Sequence, residues 1–202
     1  MLPSASQIDK ATSPRYSSEL GRFIRDTRFE DLPPQVVDRC KRLMADCFAI
    51  ITAGNQSDEL KALAPGYLGD PRQGNSWVIG TRHCAAPHDA GFLNGIASTW
   101  HDFDEGSTIA YSHPGSQVIP AAIAVAQELG VSGRALLLAV VLGYEVCARV
   151  GMASKMRVSV HTHGTCGVIG SVVAVAHMQG FGEARMRNVI NVAATMAIAA
   201  NR

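Results

Sequence analysis

The stretch from Arg134 to Met152 carries the run LLLAVVLGYEV, apolar round almost its whole circumference. A helix of that kind is at home only when other helices cover it on every side, so it is expected to be central. Its surroundings supply the cover. Val118 to Leu129 reads as an apolar helix stopped by Gly130, with Ser132 placed to cap the central helix. Cys166 to Gln179 is a helix rich in Gly, Val and Ala closed by Gly180, and Glu183 to Asn201 forms the last one. Upstream, Leu20, Phe23 and Ile24 fall at helical spacing after Ser17, a plausible cap, and Glu19, until the break at Leu32-Pro33-Pro34. Pro34 suits the first turn of a second helix, whose stripe from Val36 to Ile51 widens towards Gly54-Asn55. A third helix is expected from Asp58 to Leu68, ended by Gly69-Asp70-Pro71, and a small-residue helix from Ala85 to Thr99, where Gly91 and Gly95 would admit a close neighbour. NSWVIG is the one strand-like run. The expected fold class is all-α or nearly so, with residues 1–14 a polar tail and residues 15–202 one helical domain. That domain is expected to be incomplete, because NVAATMAIAANR breaks off inside a helical pattern.

Charge narrows the partners. Eighteen basic and 17 acidic residues, well mixed, leave +1, which gives no electrostatic footprint for nucleic acid or an anionic membrane. A mean hydropathy of +0.09 points to a buried subunit interface, hence a homodimer. The sequence contains no uninterrupted apolar run long enough for a bilayer and no signal-peptide pattern, so a cytoplasmic location is expected. The five cysteines form no CxxC pair and read as small buried hydrophobes.

Two polar islands interrupt the helices. NGIASTWHDFDEGSTIAYSHPG, from Asn94 to Gly115, crowds acids and histidines into a chain only 17% charged. Any of Asp102, Asp104 and Glu105 held against apolar walls would have its pKa raised towards neutrality, as a carboxyl acting as acid or base requires; the plainer role is a solvated or helix-capping loop. His113, before Pro114-Gly115, stands at a helix N-terminus where an anion is favoured. HTHGTCG, from His161 to Gly167, reads as a loop held against the core, with a helix starting at Gly164 or Thr165. Its glycines leave backbone amides open to a carboxylate, and Cys166 is more simply a packed residue than a reactive thiol. His161-x-His163 also matches the pairs used by metal hydrolases, which would predict bound zinc, but those pairs sit on barrel strands that this pattern lacks. Asp-x-Asp without the terminal Glu spacing does not make a calcium loop, so no metal is expected. His83, His88 and His177 have no supporting context.

The run AGFLNGIAST with HDFDEG, then HPG with VIPAAIAVAQELG, then GYEVCARVG, then HTHGTCGVIGSVVAVAHMQGF resembles the MmgE/PrpD family, which includes 2-methylcitrate dehydratase and cis-aconitate decarboxylase. The likeness runs from about residue 16 to the end. It implies a mostly helical domain, which in the family is joined to an α+β lid domain absent from this chain. It places Asp102, His113 and His161 in an active site that needs no cofactor, with Ser107, His163, Gly164 and Thr165 as substrate contacts. The family draws a lysine, a further histidine and a tyrosine from segments that would follow Arg202. The chain departs from the family pattern at His161-Thr162, where His-Pro is usual, and at DFDEG.

The function these readings imply is a lyase (dehydratase or decarboxylase) or an epimerase acting on a small di- or tricarboxylic acid by removing the proton α to a carboxylate. The alternative is a non-catalytic helical domain that folds and dimerises.

Overall fold

The computed structural model describes residues 13–68, 74–155, 160–161 and 163–197. The described helices are α1 (Ser13–Asp26), α2 (Pro34–Gly54), α3 (Asp58–Leu63), α4 (Pro87–Thr99), α5 (Pro114–Leu129), α6 (Gly133–Ala153), α7 (His163–Met178) and α8 (Glu183–Met196). A two-residue antiparallel pair, β1 (Ser76–Trp77) with β2 (Cys84–Ala85), puts Ser76 opposite Ala85. The fold is all-α or nearly so, as the helical periodicity implies.

Start and stop signals act where the sequence places them in most helices. Pro34 opens α2, the Ser132 hydroxyl accepts from the Ala135 N–H at the start of α6, and Gly130 closes α5 at φ 62°, a conformation that costs glycine nothing. Three expectations are corrected. Helix α1 already runs from Ser13, so Ser17 lies within it rather than capping it. The third helix changes to a 3-10 turn at Ala64–Gly66, and its expected end at Gly69-Asp70-Pro71 lies outside the described residues. Helix α5 begins at Pro114 and continues through Pro120, which removes the N–H that would serve the Ser116 carbonyl; the Ser98 hydroxyl of α4, within reach of the Gly95 carbonyl at 2.7 Å, also lies 3.1 Å from that carbonyl.

Helix α6 is central. Ala139 and Val140 join α2, α4 and α5 in one apolar cluster, while Leu138, Leu142 and Val146 join α1, α7 and α8 in another. Among the described residues it is the one helix long and apolar enough to cross a bilayer, and half of it is buried in this core. The β1–β2 hairpin docks on α4 through Asn94, which is fully buried and satisfied: it donates to the Trp77 carbonyl at 2.9 Å and accepts from Ile79 N at 3.0 Å.

Helices α6 and α7 approach backbone to backbone. A Cβ at Gly143 would lie 2.6 Å from the Gly170 carbonyl oxygen, and one at Gly170 would lie 2.6 Å from the Gly143 oxygen, with Val118 of α5 against both. Gly54 of α2 meets Ala97 of α4 in the same way, whereas Gly95, expected from its small neighbours to mark a close approach, faces open space. Gly143→Ala and Gly170→Ala are therefore expected to destabilise by about 1–3 kcal/mol through overpacking. In a protein of this size that lowers Tm by roughly 2–4 °C per kcal/mol in a thermal melt. Gly95→Ala, which gains helix propensity without a clash, is expected to leave Tm unchanged or raise it.

Candidate active site

The segment between α4 and α5 folds back over the N-terminus of α5. Asp102 and Tyr111 stand at φ 56° and 49°, left-handed values that turn the chain sharply at non-glycine residues, and Ser107 pairs with Ser112 in an isolated antiparallel bridge. This folding points the two adjacent acids, Asp104 and Glu105, into the protein while Phe103 and Tyr111 stay exposed.

Glu105 caps α5. Its carboxylate accepts from the Gly115 N–H in the first helical turn and, at 3.1 Å, from the Tyr144 hydroxyl of α6. A Cβ at Gly115 would lie 2.7 Å from the carboxylate, so any side chain there would displace Glu105 from this position. Burial raises the Glu105 carboxyl above the ordinary carboxylate value; the Gly115 and Tyr144 hydrogen bonds and the nearby His113 oppose this without cancelling it, and Asp104 adds to it. A cavity of about 280 Å³ opens beside Glu105 between α2 and α6, lined also by Arg39, Leu43, Val140 and Tyr144.

Asp104, with its side chain only 4% exposed, meets the histidines. Its Oδ2 lies 3.1 Å from His163 Nε2, a hydrogen bond, and 3.2 Å from His113 Nδ1. The second contact has the distance of an ion pair without the direction of a hydrogen bond, and His113 Nδ1 is buried with no hydrogen-bond partner. Burial pushes the Asp104 carboxyl up, but hydrogen bonds from His163 and Ser116 and the charges of His113 and His163 outweigh it and hold the group below the ordinary value. Two neighbouring carboxyls are thus driven in opposite directions.

The rings of His113, His163 and His161 form a stack, with centroids 4.5 Å apart in the first pair and 4.4 Å in the second. His163 Nδ1 is 2.8 Å from His161 Nδ1, and the His163 backbone N–H donates to that same His161 nitrogen at 3.2 Å. The imidazole of His161 therefore occupies the place of an N-cap at the start of α7, and the Thr165 hydroxyl returns a hydrogen bond to the His161 carbonyl at 2.8 Å. The island HTHGTCG is thus not a loop from end to end: from His163 onward it is the first turn of α7, with Gly164 and Thr165 inside it.

The ligating atoms of Asp104, His113 and His163 all lie within 4.8 Å of one another, near enough for a single ion. In this structure the His113 and His163 rings are stacked at 20° and His163 Nε2 is hydrogen-bonded to Asp104, so the cluster is a hydrogen-bonded stack.

Of the residues singled out from sequence, His113, His161 and His163 come together. Gly164 and Thr165 adjoin them in α7, and Ser107 sits half-buried in the bridged turn, its hydroxyl accepting from Ala110 N at 3.3 Å. Asp102 is exposed, and the acid against the histidines is Asp104. Tyr144 and Gln117 are the residues that sequence reasoning did not single out. Tyr144 is the lone hydroxyl in the LLLAVVLGYEV run, which was the available signal. Gln117, one turn after His113, lays its amide against α7 where Gly167 leaves room, and neither amide atom has a hydrogen-bond partner. The cysteines are all free, and burial pushes Cys40 up to about 11, Cys47 and Cys147 up to about 12, and Cys166 upward as well, so none of these four is an activated thiol.

Comparison with known proteins agrees with this architecture. The model of the MmgE/PrpD N-terminal domain matches residues 18–201. A cis-aconitate decarboxylase-like protein of Aspergillus oryzae is 29% identical over 152 residues, covering 72% of this chain and 32% of that protein. The cis-aconitate decarboxylase of Aspergillus terreus is 23% identical over 190 residues, covering 90% of this chain and 39% of the other. The chain thus spans between about a third and two fifths of the length of these relatives. A match of the family model across nearly the whole described helical body makes the conclusion plain: this chain belongs to the MmgE/PrpD family and carries its N-terminal helical domain.

Proposed function

We propose that this chain forms the helical part of a lyase or epimerase that removes the proton α to a carboxylate on a small di- or tricarboxylic acid, without a cofactor. The observation that carries the reading is the pair Asp104 and Glu105, adjacent in sequence and pushed to opposite sides of the ordinary carboxyl pKa within contact of a histidine stack. Environments that split two titratable groups in this way are what acid and base catalysis at one site requires. The similarity to proteins named cis-aconitate decarboxylase supports the substrate class.

In this reading the ionised Asp104 holds the histidines and His161 moves the proton. His113 assists the departing oxygen. The N-termini of α5 and α7, both directed at the cluster, favour the substrate's carboxylates and the negative charge that develops on the carbon. The rival reading is a helical domain that folds and dimerises without turnover.

Incubating the full chain with cis-aconitate, and separately with 2-methylcitrate, in D2O and following the substrate protons by NMR separates the two. Solvent deuterium entering the substrate, or its conversion, is expected, with the rate falling by about 10²–10⁴ in Asp104→Asn and His161→Gln that retain the wild-type circular dichroism. A folded wild-type chain that leaves a panel of di- and tricarboxylates unchanged supports the non-catalytic domain.

Stability against pH provides a second check. A carboxyl whose folded pKa is raised costs stability as pH climbs from its ordinary value of 4.5 through the folded value, because the unfolded chain ionises first. Glu105→Gln keeps one carbonyl oxygen for the Gly115 N–H, turns its amide N–H to the Tyr144 hydroxyl oxygen and cannot ionise. Its Tm relative to wild type is expected to rise between pH 4 and the folded pKa and to level off above it.

A further inference from the structure

The cavity between α2 and α6 has no part in the chemistry proposed above. Its walls are apolar: Val36 and Leu43 come from α2, Val140 and Val141 from α6. Glu105 is the member of the acid and histidine cluster that reaches it, while Asp104, His113, His161 and His163 do not line it. At about 280 Å³ the space is nearly twice the roughly 150 Å³ that suffices to hold a benzene molecule in an apolar core.

The polar groups along the cavity are unequally engaged. At the inner end the Glu105 carboxylate accepts from the Gly115 N–H and, at 3.1 Å, from the Tyr144 hydroxyl. The Glu145 carboxylate accepts from Arg149 one turn along α6, at 2.7 Å. Arg39 differs. It is exposed at the open side, and among the described residues its guanidinium has neither an ion pair nor a hydrogen bond. Its charge still bears on the interior: the Tyr144 hydroxyl is raised first by burial and then by Glu105, and Arg39 acts on it in the opposite sense.

From this arrangement we propose that the cavity binds a small monocarboxylate with a compact apolar body, which lies between α2 and α6 while the carboxylate meets Arg39 at the mouth. The orientation follows from which groups are already bonded. A polar group sent to the inner end would find Glu105 and Tyr144 holding each other and would be buried unpaired. An ammonium at the mouth would face Arg39 as a like charge, whereas a carboxylate can take paired hydrogen bonds from its guanidinium. A di- or tricarboxylic acid would carry further charge against apolar walls, so this site selects a different class of ligand from the one proposed for the histidine cluster.

Titrating the full chain, labelled at its Leu and Val methyl groups, with 3-phenylpropionate tests this by proton–carbon NMR. The assay needs no turnover, so its result is independent of the lyase reading. Shifts at Leu43, Val140 and Val141 that saturate with a Kd on the order of 1 mM or tighter are expected. Replacing the ligand by the neutral 3-phenylpropanamide, or the protein by Arg39→Gln, is expected to weaken binding by about three- to tenfold, the loss of one part-exposed charged pair. Propionate, which lacks the ring, is expected to leave these methyls unmoved. Equal affinity for acid and amide, or for wild type and Arg39→Gln, overturns the pairing of carboxylate with Arg39. Shifts confined to the surroundings of the histidine cluster, or no shifts at all, overturn the site. So does a chain that elutes as a dimer split by Arg39→Glu and takes up no ligand, because the cavity then belongs to a second copy.

Discussion

The close approach of α6 and α7 at Gly143 and Gly170 sets the positions of the groups above it. Val118 of α5 packs on both glycines, so three helices meet at one point with no side chain between two of their backbones. His163 lies seven residues, about two turns, before Gly170, and His113 lies five before Val118. The N-termini of α5 and α7 therefore emerge side by side, and their histidines reach stacking distance because of the apolar packing beneath them. The precision of the polar cluster is a property of the core. A methyl group inserted between Gly143 and Gly170 would be felt at His163, although it touches none of the site's side chains.

Two helix N-termini aimed at the same loop give it a positive end to answer, and the loop answers with two acids in succession. They do not share one environment. Asp104 turns to the histidine rings and gains enough hydrogen bonding and charge to stay ionised despite its burial. Glu105 turns to the seam between α5 and α6, where two donors do not repay the loss of water. The remaining polar chemistry nearby is silent for the same reason. The thiols of Cys147 and Cys166 lie on apolar helices, and burial pushes them upward, while Tyr144 is raised first by burial and then by Glu105 itself.

Helix order, the central place of α6 and the meeting of the two polar islands were legible in the sequence, because Pro34, Gly130, Ser132 and Gly180 punctuate it and LLLAVVLGYEV has no polar face. What local pattern could not reveal was decided by partners distant in the chain. Where α5 continues through Pro120, the Ser116 carbonyl that loses its helical partner lies 3.1 Å from the Ser98 hydroxyl of α4. The start of α7 at His163 depends on a ring nitrogen of His161, where a reader of caps looks for Ser, Thr, Asp or Asn. Asp102 and Asp104 are equivalent by spacing, and the left-handed backbone at Asp102 is what leaves one outside and takes the other in. Gly167 reads as an open amide, yet its missing side chain is filled by Gln117.

That last contact bears on why the cluster lies where it does. Among the described residues, the buried side-chain nitrogen and oxygen atoms without a hydrogen-bond partner are His113 Nδ1 and both amide atoms of Gln117. A buried polar group left unpaired costs about 1–3 kcal/mol, so a core selected for stability alone would replace Gln117 with an aliphatic residue of similar volume. All three atoms instead belong to one turn of α5, against the first turns of α7, beside the one acid–imidazole stack in the molecule's described part. Conflicts with local rules that collect at a single seam, in a core otherwise satisfied, mark a place where stability has yielded to another requirement. Here that requirement is a set of donors and acceptors kept available where α5 and α7 converge.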